Sequence, residues 1–473
     1  MTITCDIAIL GGGTGGYVAA IRAAQLGKDV VIIEEDKLGG TCLHRGCIPS
    51  KSLLRSAEVY AEIKESESYG IETSGATVVF PKVQQRKTDI VEQLHQGVQY
   101  LMRKNKIKVL HGKGRVTGPS IFSPQIGAVA VELADGEMET VVSAHLIIAT
   151  GSRPRILSGL EPDGVHILSS DEALLMEKLP QSMIIVGGGA IGVEWASMLN
   201  DFGVEVTIVE AANQLLPQED EDISKELKKI FERRGITVLT GSKVLADTYQ
   251  VKDDRITLNI QQGESTKTLN SEKLLVSIGR QANIENIGIE NSDIRTEKGF
   301  IAVNTFMQTN EAHIYAIGDV IGGVQLAHAA SHEGVAAVNH IAGETVHPYE
   351  SQLIPRCVYT RPEVASVGYT EKECKERGLD VKVGKFPFQA IGKSLVQGSK
   401  DGFVKVVADR NTNDILGVQM IGVHVTDLIS EAALAQVLNA TPWEVSQTIH
   451  PHPTLSEVLG EAMLAVDGLA IGM

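Results

Sequence analysis

Short apolar runs that end on a glycine-rich turn or on a carboxylate recur along this chain, each followed by a stretch with helical spacing. Residues 5–10, Cys-Asp-Ile-Ala-Ile-Leu, read as a buried strand leading into Gly11-Gly12-Gly13-Thr14-Gly15-Gly16. Tyr17 to Leu26 follows as a helix ended by Gly27, and Val30-Val31-Ile32-Ile33 as a second strand finishing on Glu34. The same order returns at Met183–Val186, then Gly187-Gly188-Gly189-Ala190-Ile191-Gly192, a helix from Val193 to about Phe202, and a strand from Val204 to Val209 that stops at Glu210. The chain therefore carries an internal repeat.

Between and beyond the repeats the pattern predicts amphipathic helices over 51–66 and 81–105, a strand-like run from Val109 to Gly118, and antiparallel strands over 128–148 around Asp135-Gly136. An apolar run then ends in Ala149-Thr150-Gly151 and marks a domain exit, with Pro154 and Pro162 in the connection. A helix over 222–235, a strand-rich stretch over 236–278, an apparent linker at 281–300 and a helix from Ser331 to Ile341 come next. From about Pro348 the composition changes to short alternating strands (Val364–Val367, Phe403–Ala408, Leu416–Ile421) followed by a helix at 426–438. The prediction is an α/β chain of two Rossmann-like dinucleotide-binding domains and a C-terminal α+β block. Its expected boundaries are 1–152, 153–280, 281–347 and 348–473, with the second domain inserted in the first.

Each glycine turn matches G-x-G-x-x-G, at Gly11, Gly13 and Gly16 and again at Gly187, Gly189 and Gly192, with a glutamate 18 positions beyond the last glycine. Such glycines let backbone N–H groups at a helix N-terminus approach a pyrophosphate, while the carboxylate accepts ribose hydroxyls. Glu210 repels a 2′-phosphate, and Ala211-Ala212-Asn213 supplies no arginine to hold one, so NAD is expected there rather than NADP. Two nucleotide sites in one chain point to electron transfer between a flavin and a nicotinamide.

Charge narrows the partners. A formal net charge of −16 argues against nucleic acid, and no apolar run is long enough to span a bilayer. No cleavable apolar leader opens the chain, and five cysteines, an odd number, argue against a secreted disulfide scaffold. The expectation is a cytoplasmic, reducing compartment, where a disulfide is catalytic or regulatory. Cys42 and Cys47 have four residues between them. In a regular helix their Cα atoms would lie about 8–9 Å apart, beyond the roughly 7 Å a disulfide spans, so bridging them requires a distorted backbone. Gly46 and Pro49 suit such a bend, leaving two readings: a strained reducible disulfide, or two buried thiols. His450 and His452 have no cysteine or third histidine nearby to complete a metal site, so none is expected; Cys357 and Cys374 read as structural. Thiol chemistry needs a base, because only a few per cent of a free cysteine is thiolate at neutral pH.

The opening glycine motif, Glu34, and Gly-Gly-Thr-Cys-Leu-x-x-Gly-Cys-Ile-Pro-Ser-Lys over residues 39–51 resemble the dihydrolipoamide dehydrogenase branch of the pyridine nucleotide–disulfide oxidoreductases. The resemblance implies FAD at Gly11, Gly13, Gly16, Glu34, Gly114, Thr150, Gly151, Asp319 and Ala327, with Asp319 on the ribitol. It places NAD at Gly187, Gly189, Gly192, Glu210 and Gly279, and the Lys51 ammonium near flavin N5 with Glu194 as its partner. Cys42 is then the interchange thiol and Cys47 the one facing the flavin. His452, directly before Pro-Thr, is the implied base, oriented by Glu457, with His450 a neighbour.

The C-terminal block matches a dimerisation domain, implying a homodimer whose active site is shared between subunits. The implied reaction is oxidation of protein-bound dihydrolipoamide with reduction of NAD⁺ in a 2-oxo acid dehydrogenase complex. Implied partners are the lipoyl domain of an acyltransferase and its peripheral-subunit-binding domain. His44-Arg45 in the middle of the motif resembles the variant found in bacterial branched-chain 2-oxo acid complexes. Two alternatives share the motifs: an NADH-dependent reductase of another disulfide or a metal ion, and a non-catalytic flavin redox sensor or scaffold.

Overall fold

The computed structural model describes residues 2–118, 127–346 and 350–472, so the expected boundary at 347/348 lies outside the described residues. In chain order the first elements are β1 (Thr2–Leu10), α1 (Thr14–Gln25), β2 (Val30–Glu34), α2 (Gly40–His44), α3 (Cys47–Lys64), α4 (Phe80–Lys104), β3 (Lys108–Val116), β4 (Val129–Leu133), β5 (Met138–Ile148) and β6 (Ser152–Pro154). There follow β7 (Ile167–Leu168), α5 (Ser170–Ala173), β8 (Ser182–Val186), α6 (Ala190–Asp201), β9 (Glu205–Val209), α7 (Glu221–Arg233), β10 (Thr237–Leu239), β11 (Ser242–Lys252), β12 (Arg255–Gln262), β13 (Ser265–Ser271) and β14 (Lys273–Val276). The chain continues through β15 (Arg280–Ala282), β16 (Thr296–Glu297), β17 (Phe300–Ile301), β18 (Ile314–Ala316) and α8 (Ala327–Ile341). It closes with β19 (Arg356–Val358), β20 (Glu363–Gly368), α9 (Glu371–Glu376), β21 (Val381–Pro387), α10 (Gly392–Val396), β22 (Phe403–Asp409), β23 (Ile415–Gly422), α11 (Val425–Val437), α12 (Pro442–Gln447) and α13 (Glu457–Ala465).

These elements form two compact units, one of residues 1–52, 85–155 and 280–351, the other of 53–84, 156–279 and 352–473. In the first, β3, β2, β1, β5 and β18 lie side by side in parallel, and β4 runs antiparallel to both β3 and β5. Strand alternation sorts the apolar residues: Ile7, Ile9 and Ile32 meet the alanines of α1, while Ala8, Leu10, Val31 and Ile33 pack with Val129, Val131 and Val141. Leu10, Ile33 and Ile148 come into register at the carboxyl ends of their strands, the edge where open α/β sheets bind ligands.

In the second unit β10, β9, β8, β14 and β7 make a parallel sheet, β11–β12–β13 an antiparallel meander, and β19–β20–β23–β22–β21 a separate antiparallel sheet. That last sheet packs through Val367, Phe386, Val404, Val418 and Met420 against apolar residues of α11 and α13.

Three expectations shift. The helix expected from Lys51 opens already at Cys47, because Pro49 falls in its first turn, where a missing N–H costs nothing. The helix expected at Ser331 opens at Ala327. The stretch at 281–300 is not a plain linker: β15 pairs antiparallel with β6, and β16 with β17. Among the described residues no helix is long and apolar enough to cross a membrane.

Candidate active site

The two glycine turns are copies down to individual hydrogen bonds. Gly11 and Gly187 take φ of +110° and +108°, and a Cβ there would lie 2.3 Å from Ala149 O and 2.4 Å from Ser277 O respectively. A Cβ on Gly16 or Gly192 would sit 2.0 or 1.9 Å from the carbonyl oxygen of Gly11 or Gly187, so these glycines let each helix abut its own turn. The middle glycine differs: around Gly189 no protein atom lies within 4 Å of a Cβ, and around Gly13 the nearest is Gly40 Cα at 3.8 Å. Packing does not demand glycine there, whereas a pyrophosphate lying against the backbone does. Gly13 and Gly189 are also the N-caps of α1 and α6, and neither helix start is satisfied by a capping side chain or an acidic first turn. Such uncapped helix N-termini favour negative charge.

Glu34 Oε2 accepts Gly12 N–H at 2.7 Å and its Oε1 accepts Asp36 N–H at 2.8 Å. Glu210 repeats this with Gly188 N–H at 2.5 Å and Ala212 N–H at 2.6 Å. A carboxylate has about four acceptor positions, so each keeps capacity for ribose hydroxyls. Burial pushes the Glu34 carboxyl up, against the two N–H bonds from Asp36 and Gly12.

The cysteine segment is laced to the first of these turns. Gly39 N–H donates to Gly12 O at 2.8 Å, Gly39 bridges Gly13, and a Cβ on Gly40 would come within 2.6 Å of Gly13 Cα. α2 carries Cys42 and ends at Arg45, with φ −137°, before α3 restarts at Cys47. The helix is thus broken between the two cysteines, as a bridge between them would need, and their side chains interact. Both stand as thiols in this structure. The Cys42 thiol is pushed far up by its hydrogen bond to Cys47, by burial and by negative charge on Cys47, against a hydrogen bond from Thr14 and the charge of Lys51.

Several predicted FAD residues have protein partners that sequence reasoning missed. Asp319 accepts from Ser152 Oγ and lies 3.6 Å from Arg280 Nε, while Arg280 donates to Ser152 Oγ at 2.6 Å and to Ser152 O at 2.7 Å. Thr150 Oγ1 donates to Asn283 O at 2.8 Å, and Gly151 O accepts Asn283 N–H at 2.9 Å. Gly114 lies in β3, where a Cβ would meet the side-chain methyls of Leu10 at 2.5 Å and Ile33 at 2.9 Å. Ala327 is the first residue of α8, after Leu326 as N-cap. No local pattern marks Ser152, Asn283 or Arg280; the β6–β15 pairing brings them together.

In the second unit Gly279 takes φ +107°, and the buried Glu194 on α6 accepts Tyr359 N–H at 2.9 Å. Lys51 belongs to the first unit, in the opening turns of α3. His452 Nδ1 and Glu457 Oε1 are 2.9 Å apart, and Glu457 Oε2 accepts Thr454 N–H at 2.8 Å. Burial raises the Glu457 carboxyl, but the His452 and Thr454 hydrogen bonds together outweigh it and hold the group below the ordinary range. The His452 side chain is 78 % exposed. The His450 side chain is 9 % exposed and lies 2.8 Å from the partly exposed Glu431. Cys374 is buried, its thiol pushed up to about 11 by burial and Glu373, and Cys357 touches Thr426 O at 3.9 Å, so both are structural. Among the described residues no group of three or more His, Cys, Asp or Glu could hold a metal.

Residues 5–334 match the family model described as pyridine nucleotide-disulphide oxidoreductase, and 354–463 match its dimerisation domain. The chain belongs to this family: it is an enzyme that uses FAD and NAD, built to pair with a second copy. Among its relatives, the dihydrolipoyl dehydrogenase of Bacillus subtilis is 62% identical over 472 residues, covering 100% of both chains. That of Zymomonas mobilis is 45% identical over 98% of each chain. Of solved structures, LpdA of Mycobacterium tuberculosis superposes with a TM-score of 0.89 at 26% identity, covering 98% of this chain and 99% of its own. The Cu(II) complex of the HOCl-induced flavoprotein disulfide reductase RclA of Escherichia coli gives 0.85 at 25% identity, covering 97% of this chain and 99% of its own.

Proposed function

We propose that this enzyme oxidises dihydrolipoamide to lipoamide and reduces NAD⁺ to NADH, as the dehydrogenase component of a 2-oxo acid dehydrogenase complex. The observation that carries the reading is the contact between Cys42 and Cys47 on a segment laced to the first dinucleotide turn. His452 of the partner subunit, oriented by Glu457, removes a proton from the substrate dithiol. The substrate thiolate attacks Cys42 Sγ of the oxidised pair; the Cys42–Cys47 bond breaks and Cys47 leaves as thiolate. The second substrate sulfur then gives up its proton, closes the lipoyl ring and expels Cys42, which leaves as the thiol by taking that proton. The pair now holds two electrons. When bound, FAD supplies the two-electron relay from thiolate to nicotinamide. Lys51 places positive charge beside the flavin, and Glu210 excludes a 2′-phosphate from the NAD site.

In this reading the acidic surface docks a basic peripheral-subunit-binding domain, an acyltransferase lipoyl domain delivers the substrate, and the complex is a cytoplasmic one acting on branched-chain 2-oxo acids. A steady-state assay with dihydrolipoamide and NAD⁺ tests the chemistry. Cys42→Ser should abolish turnover and His452→Gln should lower it by about 10²–10⁴-fold, the usual worth of a general base. Normal turnover in either variant refutes the assignment.

A further inference from the structure

Neither His44 nor His95 takes part in the proposed reaction, yet their rings converge on one atom. The carbonyl of Leu38 accepts from His44 Nε2 at 2.9 Å and from His95 Nδ1 at 3.0 Å. A carbonyl only accepts, so both ring nitrogens carry protons. His95 Nε2 lies 3.0 Å from Gln99 Nε2, a second contact that orients the ring. The rings meet edge-on with centroids 5.0 Å apart, and His95 is buried at 9 % exposure.

The other end of the same peptide unit is also held, because Gly39 N–H donates to Gly12 O at 2.8 Å. The Leu38–Gly39 plane is thus pinned at its oxygen by two imidazoles and at its nitrogen by the nucleotide turn. Next come two glycines in the left-handed region, Gly39 at φ +109° and Gly40 at +60°, and then Cys42. Glycines there are conformationally permissive, so the orientation of the cysteine-bearing helix depends on what fixes the plane before them. His44 is the last residue of α2 and reaches back past the helix to the residue before its N-cap, tying both ends of the turn that carries Cys42. His95 adds the tie to α4.

We propose that His44 and His95 form a two-donor clamp on the Leu38 carbonyl that sets the position of the Cys42–Cys47 pair against the first nucleotide turn. They are positioning residues, and the inference rests on reading that pair as the redox disulfide. Burial holds the His44 imidazole below its usual range, which favours the neutral ring in the clamp.

The test uses the FAD-loaded protein and its His44→Ala, His95→Ala and His44→Gln variants. Amide exchange at Gly39 should speed up about fivefold in each alanine variant, the factor expected when a hydrogen bond of about 1 kcal/mol is lost. After anaerobic two-electron reduction by dithiol, the long-wavelength thiolate–flavin charge-transfer band should lose intensity in both. His44→Gln, which keeps an N–H at similar reach, should restore exchange and band. Unchanged exchange and an unchanged band in both alanine variants overturn the clamp, whatever their melting temperatures. A wild-type protein lacking the band counts against the disulfide reading, while exchange at Gly39 still decides the clamp.

Discussion

Replacing Gly189 with alanine separates what the fold needs from what the nucleotide needs. The added Cβ meets no protein atom within 4 Å, and φ −75° with ψ −177° is open to any residue. The folding cost should be that of exchanging one N-cap for a poorer one, up to about 1 kcal/mol. A methyl group there would, however, hold a pyrophosphate off the α6 N-terminus and lengthen its backbone hydrogen bonds. Losing one charge-assisted bond costs about 1.5–3 kcal/mol, or roughly ten- to a hundredfold in affinity. Gly192→Ala makes the opposite case, since its Cβ would stand 1.9 Å from Gly187 O and force the turn and helix apart. The assay pairs the KM for NAD⁺ with thermal unfolding and bound-flavin absorbance. Gly189→Ala should raise KM ten- to a hundredfold with flavin content unchanged and only a small shift in melting, whereas Gly192→Ala should lose stability first. A KM within about twofold of wild type in Gly189→Ala would refute the placement of the pyrophosphate, since twofold is only about 0.4 kcal/mol.

Glu210→Ala combined with Ala211→Arg should lower kcat/KM for NAD⁺ and raise it for NADP⁺, read by comparing the two cofactors at equal concentration. Lys405, whose side chain is 5 % exposed, is ringed by Asp220, Asp222 and Glu371 at 2.9–3.1 Å; Lys405→Met leaves those carboxylates uncompensated and should cost about 3–5 kcal/mol in denaturant unfolding. Arg153 grips Glu285 with bonds of 2.9 and 3.1 Å and lowers its carboxyl from 4.5 to about 2. A depressed carboxylate pKa stabilises the fold above 4.5, and that stability is lost as pH falls through about 2. The melting advantage of wild type over Arg153→Met should thus be present at neutral pH, at the scale of about 0–1 kcal/mol for a half-exposed pair, and vanish below pH 2.

Much of the site was legible because its chemistry is local. A glycine turn between a strand and a helix, with an acidic residue one strand later, is a contiguous instruction, and both copies fold with matching φ and matching glutamate hydrogen bonds. His452 and Glu457 are likewise close enough in the chain for one loop to join them. The partners that tune these residues were not legible. Ser152 and Arg280 come from the strands on either side of a long insertion, Asn283 follows the second of them, and His95 reaches Leu38 from α4.

By itself, then, the sequence determined the two glycine turns, the cysteine spacing that a regular helix could not bridge, and the pairing of His452 with Glu457, because each depends on neighbours within a few residues. Only the tertiary structure decided which residues hold Asp319, which side chains crowd Gly114, and that two imidazoles share one carbonyl. Those facts depend on strand pairing and helix docking between segments far apart in the chain, and the backbone geometry that joins them leaves no mark in any short stretch of residues.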